Sequence, residues 1–220
     1  MQIEIPQTAR RIKIDIGLSY SAPNSVIWLN NQPDTFVIGI EPNIGNIYSV
    51  STSALGHNSH FTLLPYAIDD VDAQTQKEFY HTAGDPGCSS LYEPNDKLPY
   101  IVAQKYKVDV IPLSTVLEAI DWERFEYIDV LKIDTQGNDL NVIKSAGKWI
   151  HKVVYLHCEI DTHEMYNGTP APDEYDSYLE SIGFEKVKDG SIVDGVVVDR
   201  LYVNKKSIGI HTEFVNSFVL

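Results

Sequence analysis

Apolar positions fall in short dense runs along this chain, and most of the runs end in an acidic residue or a glycine. The strongest is 127–139 (YIDVLKIDTQGND). There Ile128, Val130, Leu131 and Ile133 stop abruptly at Asp134, and polar residues and Gly137 follow. A strand buried on both faces of a parallel sheet has this pattern, and it delivers one carboxylate to the carboxyl edge where ligands of open α/β folds bind. Helical spacing then takes over at Leu140, Val142, Ile143 and Ala146, with Gly147 just past the end.

Other segments repeat the theme. Residues 11–17 (RIKIDIG) read as a strand ending in Asp15 and Gly17, followed by a polar loop and a helix that Asn24 or Ser25 can cap. A second strand, 35–40 (TFVIGI), is tipped by Glu41, Pro42 and Asn43, and 61–68 (FTLLPYAI) reads as a third, with Asp69 and Asp70 behind it. Residues 77–82 and 105–111 are strand-like, whereas 83–99 is rich in Gly, Pro, Asn, Asp and Ser. A loop of that length in a compact domain is more often functional than idle. A helix is expected over 115–120, a parallel strand over 152–160 and a helix over 173–182, closed by Gly183. The alternating stretches 184–188 and 195–203 supply an antiparallel edge. The pattern assigns no element to 44–60. The expected architecture is one α/β domain over 1–220, a mostly parallel sheet flanked by helices with an antiparallel C-terminal edge.

Composition narrows the function classes. The 220 residues are 43% hydrophobic, as in ordinary globular chains, and carry a formal net charge of −14. Such a surface repels phosphate backbones, so neither nucleic acid nor an anionic membrane is expected as a partner. Two cysteines, Cys88 and Cys158, fit a reducing compartment better than a disulfide scaffold. With no apolar run approaching the ~20 residues of a bilayer span and no leader pattern, the chain reads as soluble and cytoplasmic.

The strand tips carry the candidate chemistry. A strand, a polar loop and a helix start make the usual opening of a nucleotide-binding unit, and a carboxylate at Glu41 can accept both ribose hydroxyls. The offset from Gly17 to Glu41 is near the ~20 residues typical of ribose-binding acids. The G-x-G-x-x-G fingerprint is absent, which favours an adenosyl ligand without phosphates over a dinucleotide. Asp134, Glu159 and Asp161 could hold a hard divalent ion, but three solvated strand-end carboxylates are the simpler reading, and no metal site is expected. His157 alternates with Tyr155 and Glu159, as a packed strand histidine would, and Cys158 is most simply a small core residue.

The ordered set Asp15-Ile-Gly17, Glu41-Pro42-Asn43, Ala67-Ile68, Ser89-Ser90-Leu91, Lys132-Ile133-Asp134 with Gly137, and Glu159 resembles the FkbM-type methyltransferases. The resemblance implies a class I Rossmann-like fold, S-adenosyl-L-methionine as cofactor, and methyl transfer to a hydroxyl of a sugar, glycan or similar small molecule. By the same resemblance Asp15, Gly17, Ser19, Glu41, Pro42, Asn43, Ile68 and Asp69 seat the cofactor. Ser89, Ser90, Gln136 and Glu159 fall to the acceptor. A sugar hydroxyl is weakly acidic, so a general base is wanted. The candidates in order are Asp134, then His157 or His163, then Asp161. Two stretches depart from the family pattern. Gly17 is followed by LSYSAPNS, and Gln136 and Asp139 stand where glutamates are usual, so no metal or base role passes to position 136. An NAD-dependent oxidoreductase and a non-catalytic adenosyl-binding module share parts of this pattern. All three readings require Glu41 and Asp134 to face one rim.

Overall fold

The computed structural model describes residues 1–193 and 197–210. In chain order the elements are β1 (Arg11–Ile16), α1 (Pro23–Asn31), β2 (Thr35–Ile40), α2 (Ile44–Thr52), β3 (Phe61–Leu64), β4 (Ala67–Ile68) and β5 (Thr75–Thr82). They continue with β6 (Val102–Ile111), α3 (Leu113–Leu117), β7 (Ile128–Ile133), α4 (Asp139–Ser145) and β8 (Val153–Asp161). The last are α5 (Pro172–Ser181), β9 (Phe184–Val193) and β10 (Val197–Asn204). Among the described residues no helix is long and apolar enough to cross a membrane.

The densest apolar runs become the middle of a seven-stranded sheet in the order β3-β2-β1-β7-β8-β10-β9. Strands β3 through β8 of that order run parallel, and β10 and β9 close the edge antiparallel, as the alternating C-terminal stretches require. Every residue of β2 and β7 is buried, because both faces are covered. Helices α3, α4 and α5 pack on one face against Ile14, Ile38, Leu131 and Leu156. On the other face Trp28 and Leu29 of α1 meet Val37, Val130 and Val154. This is the Rossmann-like α/β arrangement expected from the strand pattern.

Register then places the chemistry. Ile16 lies beside both Ile40 and Ile133, so β1, β2 and β7 end level with one another. Ile133 lies beside Cys158, which brings Asp134 and Glu159 together as the next residues of adjacent strands. The chain builds outward from β1 through β2 to β3 and returns to place β7 at the other side of β1, a reversal that opens a crevice at the β1 and β7 tips.

Several local expectations are corrected. The run 61–68 is two strands: Pro65 has no N–H for a ladder, and the chain leaves β3 there to enter a second sheet, ordered β4-β6-β5. Helix α1 starts at Pro23, with Ala22 at its cap in a left-handed conformation. Ser25 is therefore inside the helix and turns its hydroxyl to Asp15 at 2.6 Å. Helix α3 begins at Leu113, ahead of the expected 115. Helix α2 fills a stretch with no assignment. Asn43 caps it by accepting from the Gly45 N–H, but Ile44 and Tyr48 are exposed, which blurs the helical stripe. Positions 195 and 196 of the expected run 195–203 lie outside the described residues.

Gly39 is a glycine in the middle of a fully buried strand because an added Cβ would sit 2.8 Å from the Phe61 ring and from Leu18 Cδ1. The Gly39→Ala protein should lose about 1–3 kcal/mol of unfolding free energy in urea titrations through overpacking. An unchanged midpoint would mean that the two side chains retreat at no cost.

Candidate active site

The level tips of β1, β2 and β7 open into a cavity of about 620 Å³. Gly17, Ser19, Glu41 and Pro42 line its β1–β2 side, and Asp134, Gln136 and Glu159 form its acidic floor. Ala67, Ile68 and Phe79 of the second sheet, with Leu91, give it an apolar wall. The segment 83–101 crosses above, contributing Pro86 to Ser89 and Leu98 to Tyr100.

Lys132 holds the floor together from beneath. Its ammonium donates to the Gly17 carbonyl at 2.9 Å and to Asp134 Oδ2 at 3.1 Å, and it lies 3.6 Å from Asp15 Oδ1. Burial works against this cation, but the Asp134 and Asp15 carboxylates more than offset that and raise its pKa. The loops after β1 and β7 are pressed so close that a Cβ on Gly17 would lie 1.7 Å from the Asp134 carbonyl oxygen, and Gly17 has φ +76°. Only glycine fits that position.

Glu41 is nearly buried yet borders the cavity. Burial pushes its carboxyl up to about 7, against the N–H groups of Asn43 and Ser19 and the Asn46 amide, which favour the charged form. The Asn43 N–H donates to Glu41 Oε1 at 2.8 Å. A carboxylate so placed keeps acceptor capacity for a vicinal diol.

Asp134 and Glu159 form the other centre. A single Gln136 amide nitrogen bridges their carboxyl groups, donating at 2.8 Å to Asp134 Oδ1 and at 2.6 Å to Glu159 Oε2. Burial alone would raise Asp134, but the Lys132 ammonium and the Gln136 amide hold it below the usual carboxylate range. Burial and then the negative Asp134 and Asp139 push Glu159 well above that range. Asp134 is 31% exposed against 7% for Lys132, so the cavity sees the carboxylate and not the cation.

Of the positions expected to seat a cofactor, Gly17, Ser19, Glu41, Pro42 and Ile68 line the cavity. Asp15 sits behind it, bonded to Ser25 and facing Lys132. Asn43 caps α2, and its amide lies 3.0 Å from His81 Nδ1. Asp69 is spent on Lys77 and the Asp70 N–H. On the acceptor side Ser89, Gln136 and Glu159 line the cavity, whereas Ser90 is buried and braces the Gln136 carbonyl. Three base candidates stand apart from Asp134. His157 is two residues back along β8 and binds Asp199 at 2.7 Å. Asp161 accepts the His163 and Met165 N–H groups, and His163 is exposed beside Thr162. Among the described residues no group of three or more His, Cys, Asp or Glu is arranged to hold a metal ion.

Sequence reasoning missed four contributors. Lys132 stands in the motif set that carries the resemblance but receives no role there, and only its partners reveal one. Asn46 lies in the unassigned stretch. Asp139 is fully buried, accepts from both Thr135 groups and from the Glu159 N–H, and is pushed up to about 7 by burial. Tyr166 reaches Gln136 Oε1 at 2.9 Å across thirty positions of sequence.

The methyltransferase FkbM domain pattern matches residues 14–186. No curated protein matches the chain. Among solved structures, a SAM-dependent methyltransferase from Aquifex aeolicus is 10% identical, with 89% of this chain and 83% of that one covered at a TM-score of 0.45. Magnesium protoporphyrin IX methyltransferase from Synechocystis, solved with bound SAM, is 9% identical over 90% of this chain and 72% of its own, TM-score 0.49. Precorrin-6y C5,15-methyltransferase from Geobacter metallireducens is 11% identical, covering 88% and 80%, at 0.45. With a domain match that runs from β1 into β9, the chain belongs to the FkbM family of S-adenosylmethionine-dependent methyltransferases.

Proposed function

We propose that this enzyme methylates a hydroxyl group of a sugar, a glycan or a similar small hydroxylated molecule. The observation that carries the reading is the Asp134 carboxylate, paired with the Lys132 ammonium at 3.1 Å, on the floor of the same cavity that Glu41 borders. The cavity suits S-adenosylmethionine by shape and chemistry. Glu41 offers a diol acceptor, and Ala67, Ile68 and Phe79 offer an apolar wall for a purine. When bound, S-adenosylmethionine supplies a sulfonium methyl group, whose bonding pair stays on sulfur as the new C–O bond forms. The chain's part is to orient the acceptor oxygen and take its proton, and Asp134 is the base assigned to that proton. Tyr20 and Tyr100 at the cavity wall give flat apolar faces for the C–H surface of a sugar ring.

Calorimetry with S-adenosylmethionine and S-adenosylhomocysteine is the direct test, followed by methyl transfer to a panel of saccharides. Asp134→Asn should lower kcat by about 10²–10⁴-fold while S-adenosylhomocysteine affinity stays within a few-fold. Absence of binding by both compounds at millimolar levels sinks the reading, and binding without turnover on any acceptor favours an adenosyl-binding module.

Glu41 makes a second outcome measurable. Ribose hydroxyls donate to the charged carboxylate, so binding expels the proton that the free protein holds below about 7. S-adenosylhomocysteine affinity should therefore rise as pH climbs from about 5.5 to 7, approaching tenfold per unit, and level off above 8. The stability of the ligand-free protein moves oppositely. The folded-state pKa is raised, so this contribution is full below 4.5 and is lost as pH rises through about 7. Glu41→Gln should flatten the affinity profile; an already flat wild-type profile would remove Glu41 from the ribose role.

A further inference from the structure

We propose that Asp134 and Glu159 act as one acid–base unit sharing a single proton, and that Gln136, oriented by Tyr166, is the positioning residue that keeps Asp134 its ionised, cavity-facing member. This assignment rests on the hydroxyl-methylation reading for its catalytic consequence, although the shared proton itself belongs to the ligand-free protein.

The Gln136 amide is fully committed. Both N–H groups go to carboxyl oxygens, one on each partner, and Oε1 lies 2.9 Å from the buried Tyr166 hydroxyl, whose one hydrogen it shares with the Cys88 carbonyl at 2.8 Å. Turning the amide over would aim its oxygen at the ionised Asp134, and the Tyr166 hydroxyl opposes that turn by holding Oε1. The backbone shows the same commitment. Gln136 has φ +55°, a left-handed conformation a residue with a Cβ adopts at a cost, and Gly137 follows at +94°. Ser90 fixes the turn by donating to the Gln136 carbonyl at 2.7 Å. A chain that needed only a turn here could place glycine or asparagine at 136. The long amide is what reaches two carboxyl groups at once.

Two carboxyls bridged by one amide nitrogen lie close enough that ionising the first opposes ionising the second, so the pair holds on to one proton after it has lost the other. Its surroundings decide which member keeps it. Lys132 from β7 lies against Asp134, with Asp15 of β1 on the far side of the ammonium. Asp139 of α4 accepts the Glu159 N–H and adds negative potential on that side. Cys88 and Asp161 are the remaining titratable neighbours around Tyr166. Positive charge thus sits under Asp134 and negative charge beside Glu159. Proton uptake from an acceptor hydroxyl takes the pair from one proton to two, and release to water returns it to one.

Gln136→Glu replaces two donated bonds by a third negative group, and Gln136→Met keeps the length but removes the donors. Carbonyl-region ¹³C NMR of the ligand-free protein should show the two carboxyls titrating in separate steps, Asp134 at low pH and Glu159 well above the usual carboxylate range. In both variants the low titration should move up by about one unit or more, and the acid limb of kcat/KM should move with it. Tyr166→Phe should lower kcat roughly five- to tenfold, with S-adenosylhomocysteine affinity within twofold and a smaller shift in the same direction. Thermal melts of each variant separate these effects from unfolding. Wild-type carboxyls that ionise together below pH 5 overturn the shared proton. Variants that lose rate equally at every pH, with the low titration unmoved, overturn the role of Gln136. A shared proton in a protein that methylates no hydroxyl acceptor upholds the pair and overturns the proposed function instead.

Discussion

A buried lysine ammonium is the constraint from which the rest of the site follows. Lys132 occupies a position in a strand otherwise built for the core, and taking an unpaired cation out of water costs several kcal/mol even after relaxation. The fold answers by surrounding it with the Gly17 carbonyl, Asp134 and Asp15. Those partners come from the ends of β1 and β7, the two strands that flank the reversal in sheet order. Satisfying one charge therefore fixes the crevice. The Gly17 loop must come down onto the β7 tip, which leaves no room for a Cβ there, and Asp134 is left with its lower side paired and its upper side open.

The same arrangement explains how four carboxyls, Asp15, Asp134, Asp139 and Glu159, can crowd together at and beneath one floor. Lys132 offsets two of them, the Gln136 amide bridges Asp134 to Glu159, and Asp139 is absorbed by Thr135 and the Glu159 N–H. Each neutralising group is short-range and geometrically tied to its carboxylate. Electrostatics here is a matter of a few bonds within a low-dielectric shell, not of the overall charge of −14.

How much of this was readable follows from what a linear pattern encodes. Strand ends are visible because apolar runs stop, so Asp134, Glu41 and Glu159 could be placed at one edge from sequence. Depth along a strand is not visible in the same way. His157 shares a face with Glu159 but lies two residues, about 7 Å, behind the tip, out of reach of the cavity. Asp161, the last residue of β8, lies beyond the tip, and its carboxylate accepts the His163 and Met165 N–H groups of the turn that follows. The second sheet was hidden by Pro65, which ends one strand and starts a connection without any change in hydropathy. Helix α2 was hidden because its apolar residues face both the core and water. Tyr166 acts through a partner thirty positions away, and Lys132 and Asn46 through loop carbonyls and carboxylates whose placement only the folded strand tips define.

The segment that crosses the cavity leaves and re-enters β5 and β6 at almost the same point. Thr82 pairs with Val102, and the Ala83 N–H bonds the Ile101 carbonyl at 2.8 Å. Its two ends are already closed by the hairpin, so lengthening or shortening it costs little entropy and disturbs no ladder bond of the main sheet. The length of the segment is therefore set apart from the main sheet, and a change of length that spares the floor must leave in place the two points, Cys88 and Ser90, where the segment is tied to Tyr166 and Gln136.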